Sequence, residues 1–212
     1  MLRDSAVTLL KSRLRRSSDT ALTNDIITEF QATQERLEHA VTLPWFLVQD
    51  DASRQLTIGN ETFATPTGFL RAYEDGGALW YRENATDKWI QIGRDDYDAI
   101  YNRYGITAGA PKKYSLEGTN YKIGPIPDKA YYMRTKAYVK DTVLSANIEN
   151  NWLANAGDLL LAETGVVIAS FYLRNSELAG EMKQWASAAR TVLFAADLAW
   201  KSADRSYQMG DE

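Results

Sequence analysis

Apolar positions near the start of the chain recur at helical spacing. Leu2, Ala6, Leu9, Leu10 and Leu14 fall on one face of a first helix. Arg13, Arg15 and Arg16 crowd its end, where cations complement the helix dipole. Ser17, Ser18 and Asp19 supply capping chemistry for a second helix. Its predicted face is Ile27, Phe30, Gln34, Leu37 and Val41, spaced by three and four. Pro44 stops it, because the residue before a proline is pushed out of the α region. Trp45 and Phe46 follow at once and are expected to fold back onto the core.

From 55 to 139 the pattern changes. Short apolar runs around Leu56, Ile58, Phe63, Phe69, Leu70 and Trp80-Tyr81 alternate with Gly59-Asn60, Thr65-Pro66 and Glu74-Asp75-Gly76-Gly77. Such punctuation predicts strands and tight turns, five to seven strands in all. Ten of the twelve tyrosines lie between Tyr73 and Tyr138, so rings should fill the sheet core and offer a face to a partner. A short helix is expected at 95–104, with Tyr97, Ile100, Tyr101 and Tyr104 on one side. Strands at 113–124 and 130–139 flank Pro125-Ile126-Pro127-Asp128, and proline belongs at a corner or edge.

The last third returns to helix. The stretch 156–173 is apolar on nearly every side, so something must cover it all round. Asn175-Ser176 marks a turn. Beyond it, Leu178, Met182, Trp185, Ala189, Val192, Ala196, Ala199 and Ala203 alternate spacings of four and three. Ala186, Leu193 and Trp200 form a second row, and Lys183, Arg190, Asp197, Lys201 and Asp204 take the other sides. This predicts a long helix with an alanine-rich seam, in which Trp185, Ala189, Ala196 and Trp200 serve core or subunit packing.

Composition narrows the chemistry. Charged residues are 25% and hydrophobic residues 45% of 212, an ordinary globular balance. The formal charge of -4 is wrong for gripping duplex DNA through its phosphates; it suits a surface past which DNA slides, and equally simple solubility. No cysteine is present, which excludes disulfides and thiolate metal sites. Neither a signal peptide nor a run long enough to cross a bilayer is expected. His39 is the single histidine, with Glu35 and Glu38 nearby, and a solvated or structural role outweighs metal binding. The carboxylate pairs Asp50-Asp51, Glu74-Asp75 and Asp95-Asp96 offer a hydrolase its acid and base only in principle. Asn60-Glu61-Thr62 and Asn84-Ala85-Thr86 match the glycosylation pattern by chance. Arg13, Arg15 and Arg16 are the one basic cluster, open to an acidic partner or to DNA, or merely a charged helix end.

A strand running through Tyr121-Lys122-Ile123-Gly124 into Pro125-Ile126-Pro127-Asp128, a second strand, Asn151-Trp152-Leu153 and a closing helix pair follow in order. With the N-terminal helix pair and the Pro44-Trp45-Phe46-Leu47 exit, this arrangement resembles the head-to-tail adaptor (head-completion, connector) proteins of tailed bacteriophages. The expected fold is α+β. A helix pair (1–48) and a C-terminal helical hairpin (151–204) pack into one bundle around a central antiparallel β module (49–150), with a tail at 205–212.

The resemblance implies a structural virion protein and no enzyme. It implies a homo-oligomeric ring, commonly of twelve copies, with a portal protein above and a tail or nozzle protein below. DNA passes through without specific binding, and neither membrane nor cofactor is involved. It further implies assembly in the host cytoplasm and a C-terminal end that enters the portal, with Arg205, Tyr207 and Met209 at that contact. The competing classes are a cell-wall hydrolase and a monomeric carbohydrate-binding β module.

Overall fold

The chain divides into a helical unit, 1–47 with 140–212, and a β unit, 48–139. The computed structural model describes residues 1–40, 42–73 and 77–208, with side chains as far as Ala203. The class is α+β, helices at both ends and antiparallel sheet between. Segment 140–150, which the sequence pattern grouped with the strands, belongs to the helical unit.

In the helical unit α1 (Arg3–Arg13) buries Ala6, Val7 and Leu10, and Leu14 follows at its C-cap. Leu2 and Leu9, placed on the inner face by the sequence, are exposed. Asp19 does cap the next helix, its Oδ1 accepting from the Leu22 amide at 3.2 Å. Helix α2 (Leu22–Glu38) turns Leu22, Ile26, Phe30, Gln34 and Glu38 inward. The predicted face, counted from Ile27, is rotated from this one, and Val41 lies outside the described residues. The reason is polar: Gln34 and Glu38 are buried because they bond the returning chain.

Oε1 of Glu38 accepts three hydrogen bonds, from Gln34 Nε2 at 2.9 Å, the Asp141 amide at 3.1 Å and Trp152 Nε1 at 3.1 Å. Asn150 Nδ2 donates to Gln34 Oε1 at 3.1 Å and to the Thr142 carbonyl at 2.8 Å. The Asp141 carboxylate in turn accepts from the Trp152 amide at 3.0 Å. Asn150 Oδ1 caps α4 (Asn151–Asn155) through the Leu153 amide at 3.0 Å. Trp152, fully buried, also meets Phe46 edge to face at 5.1 Å, so the aromatics after Pro44 do fold back.

Helix α5 (Gly157–Val167) is the all-apolar one, and α1, α2, α4 and α6 (Ser176–Gln208) cover it. At Gly165 an added Cβ would lie 2.9 Å from Met182 Sδ and 3.2 Å from Leu10 Cδ1, so α1 and α6 approach its bare backbone. The helix predicted to run to 173 changes to a π-helical turn at Ile168–Tyr172, which leaves Phe171 outside. Arg174 in the left-handed region breaks the chain direction, and Asn175 Oδ1 caps α6 through the Leu178 amide at 3.0 Å.

Among the described residues the β unit contains eleven strands, most of them short, rather than five to seven. One sheet has the order β1 (Val48–Gln55), β11 (Tyr132–Val139), β4 (Leu79–Arg82), β5 (Ile90–Gln91), and β3 (Phe69–Ala72) also pairs with β11. A second runs β2 (Thr62–Ala64), β9 (Asn120–Gly124), β8 (Lys113–Glu117), β6 (Gly93–Arg94). The last pair, β7 (Ala108–Gly109) and β10 (Ile126–Pro127), is parallel and sits at the proline corner. Strands of two or three residues are too short to show alternation, which is why the count was missed. The strand expected at 113–124 is a hairpin turned at Gly118, where φ is +58°.

Between the two main sheets lie Leu56, Phe63, Leu79, Ile92, Ile123 and Met133, together with Tyr81, Tyr114, Tyr121 and Tyr131. Helix α3 (Tyr97–Tyr104) buries Ile100. Strand β1 is an edge, and the register shift between Asp51 and Arg54 together with its polar exposed side blunts it against further pairing.

Burial holds the phenols of Tyr121, Tyr131 and Tyr81 above their ordinary value. Tyr131 also donates to Asp128 at 2.6 Å, whereas the Tyr121 hydroxyl is buried without a partner.

Two outcomes follow from these cores. Replacing Glu38 by Leu strands the buried Trp152 indole N–H and the half-buried Asp141 amide and should cost about 3 kcal/mol or more in urea unfolding, while Glu38→Gln keeps an acceptor and should cost roughly 1 kcal/mol. Equal losses would show that the carboxylate oxygen is not the node. A phenol whose folded pKa lies above the unfolded 10.0 contributes stability that is complete below that pH and is lost as pH climbs above it. Tyr121→Phe should therefore raise stability by about 1 kcal/mol near pH 7 and lessen the loss seen as pH rises above 10.0. An unchanged alkaline melting curve would contradict this.

Candidate assembly face on the last helix

Helix α6 is 33 residues long, about 50 Å, and is rich in alanine, leucine and other good helix formers. Its first half is seated on its inner stripe, with Leu178, Ala179, Met182 and Ala186 buried. Of the residues predicted for packing, Trp185, Ala189, Ala196 and Trp200 are half-buried. The rest of the predicted seam leaves the core: Val192 is 70% exposed, and Ala199 and Ala203 are exposed as well. A straight helix drifts by about 20° per seven residues, so a seven-residue row that is inside at Leu178 has rotated outward three repeats later.

The same rotation carries Asp197 inward, contrary to its predicted solvent position. Its Oδ1 accepts from the Trp45 amide at 2.9 Å, and its Oδ2 pairs with Lys201 Nζ at 2.9 Å. Pro44 ends regular structure just before Trp45, so that amide needs a partner outside any helix. Asp197 provides it and pins the exit of the N-terminal helix pair to α6.

From Thr191 to Trp200 the outward side of α6 is apolar. Phe194 and Leu198 are 61% and 62% exposed, beside Val192. From Thr191 to Trp200 the single charged residue is the buried Asp197. Phe194 also lines a cleft of about 530 Å³ whose apolar wall includes Leu37, Pro44, Leu159 and Leu193. Arg190 stands at this cleft, paired with Glu163 at 2.6 Å. Phe194 and Leu198 were missed by the sequence reading, which counted only the seam. The signal that could have found them is the ten-residue interval from Thr191 to Trp200 with Asp197 as its one charge.

All three arginines of the basic cluster are exposed, and two of them have partners within the chain. The Arg13 guanidinium lies 5.1 Å from the Trp185 ring centroid, and Arg15 pairs with Glu181 at 2.9 Å. Arg16 is exposed. At the C-terminus, Arg205 and Tyr207 fall on the last turn of α6, and Met209 lies outside the described residues.

In the β unit, the outer face of the first sheet alternates cations and rings. Arg134 stands over Trp80 at 5.4 Å and holds Asp50 through two bonds of 2.8 and 2.6 Å. Arg82 stands over Trp89 at 4.4 Å. Each of these rings already carries a guanidinium, which leaves less open aromatic surface for a sugar to stack upon.

The carboxylate pairs are likewise engaged separately. The Ser53 hydroxyl and amide donate to Asp51 Oδ1 at 2.6 and 2.9 Å and hold its carboxyl below the ordinary value. Asp95 lies 3.9 Å from both Lys113 and Arg103, and Glu74-Asp75 is outside the described residues. His39 is exposed at the end of α2. Among the described residues no cluster of three metal-ligating side chains forms, and no helix is long and apolar enough to cross a membrane.

No curated protein matches the chain. A family model described as SU10 adaptor protein matches residues 3–210, from the first turn of α1 to beyond the end of α6. The match thus takes in both units and the outward face of α6 together, and the chain belongs to the SU10 adaptor protein family, a family of structural phage proteins.

Proposed function

We propose that the protein is the subunit of an adaptor ring that joins the portal of the phage head to the tail and lines the DNA passage. The observation that supports this most is the charge-free apolar face of α6, from Thr191 to Trp200, in a chain whose family builds phage particles. Apolar side chains exposed in a continuous row mark a surface that is covered in the working assembly.

The ring has twelve copies, the portal protein lies above it and a tail or nozzle protein below. Assembly takes place in the host cytoplasm. The formal charge of -4 suits a passage that DNA crosses without being held, because each phosphate neutralised by Lys or Arg adds affinity that ejection must break. Residues 205–212 enter the portal, with Arg205, Tyr207 and Met209 making the contact.

Complementation of a phage that lacks the gene tests the reading. Without the protein, filled heads should leak DNA and carry no tails. Tailed, infectious particles formed in its absence would overturn the adaptor role. A chain lacking 205–212 should fold, with a melting temperature close to that of the parent, and yet fail to be incorporated beneath the portal. Normal tailed particles from that truncation would show that the portal contact lies elsewhere.

A further inference from the structure

On the outer side of the first sheet, Arg82 stands over the Trp89 ring at 4.4 Å and over the ring of Tyr132, its cross-strand neighbour, at 5.5 Å. The residue is half-buried, and its Nε is buried and bonded to nothing. Hydrogen bonding therefore falls to the terminal Nη groups, and among the described residues no acceptor meets them. The neighbouring carboxylates are engaged elsewhere: Glu83 with Lys129 at 2.6 Å, Asp87 with the Asn84 amide at 2.9 Å, and Asp50 with Arg134. Arg134 shows the contrast, because it too stands over a ring, that of Trp80, and yet bonds twice to a carboxylate of its own chain. A guanidinium that two rings have partly desolvated gains most from a charged acceptor, and its planar fork fits a carboxylate.

We propose that Arg82 docks an Asp or Glu side chain of the tail-side protein, its Nη groups bonding the carboxylate while Trp89 and Tyr132 hold its plane. The inference rests on the adaptor reading: a subunit that joins head to tail needs a surface for a protein other than its own copies. The portal contact of that reading falls to the end of the helical unit, which leaves the β unit for the partner below. Duplex DNA fits the site poorly. The β unit has twelve basic and twelve acidic residues, so no excess charge draws a polyanion, whereas a single carboxylate needs only a single fork. Arginine set among tryptophan and tyrosine is also the composition in which binding energy concentrates at protein interfaces.

The test supplies full-length variants to the phage that lacks the gene, after thermal melting confirms that each folds. Arg82→Leu keeps an apolar cover over both rings, Arg82→Lys keeps the charge without the fork, and Arg82→Glu reverses the charge. If the leucine variant does not fold, Arg82→Gln, planar and uncharged, replaces it. The leucine and glutamate variants should be found on filled heads that carry no tails, with infectious titre down about a hundredfold or more. The lysine variant should fall between these and the parent. Second-site revertants of Arg82→Glu that regain tails should exchange an acidic residue for Lys or Arg in the tail-side protein. Parental titre from the leucine or glutamine variant would overturn the inference. Heads that lack the adaptor would overturn it too, since the cation would then serve ring formation, as would revertants that map to this chain or to the portal. The adaptor role is judged separately: tails lost without the protein but formed with Arg82→Leu would sink this contact and leave that role standing.

Discussion

The helical unit depends on a single buried carboxylate. Its two parts, 1–47 and 140–212, are separated in sequence by the whole β unit, so no local contact brings them together. Loop closure over that separation costs entropy that only long-range contacts can offset. Glu38, on the last turn of α2, accepts from Gln34 on its own helix and from Asp141 and Trp152 of the returning chain. Asn150 and Asp141 extend the network to the start of α4. A buried network in which each member is bonded fixes one register, since a slip by one residue would strand several polar atoms at once. Trp152 then carries the apolar part, meeting Phe46, and Asp197 ties the same exit to α6.

The β unit is organised by different means. Its core is built from tyrosine rings among aliphatic side chains, with Tyr114 and Tyr121 edge to face at 5.6 Å and Tyr81 and Tyr131 at 5.4 Å. On the outer side of the first sheet, guanidinium groups lie against tryptophan rings. Strand order makes these pairs: Trp80 stands opposite Arg134, and Arg82 opposite Tyr132, in the β4–β11 ladder. Cross-strand pairs of this kind stabilise a sheet whose strands are mostly short.

Helix α6 serves the core and the surface by turns along its length. Where it crosses α5 it is buried through Leu178, Met182 and Ala186, and farther on the apolar residues of that side are half-buried while Asp197 is buried. The opposite side gains Val192, Phe194 and Leu198 without a charge between them. The proposed adaptor role rests on that surface rather than on a cluster of reactive groups. Electrostatics supports the division, since the flanking charges Arg190, Asp197 and Lys201 are paired on the near side and leave the apolar row open.

By itself the sequence determined where the helices run, because apolar spacing and the Pro44 and Asn175 signals are local. It determined a tyrosine-rich sheet bounded by Gly and Pro, and the order of parts carried the family. Tertiary structure alone decided the rest. Which side of α2 is inside depended on Gln34 and Glu38 finding Asp141, Asn150 and Trp152, partners more than a hundred residues away. The division of the β unit into eleven strands depended on pairings too short to leave a periodic trace. Whether Val192 and Ala199 faced in or out depended on helix rotation over three heptads, and whether Asp197 was solvated depended on the Trp45 amide. A residue's period is written in its neighbours along the chain, but its burial is set by what the rest of the chain brings against it.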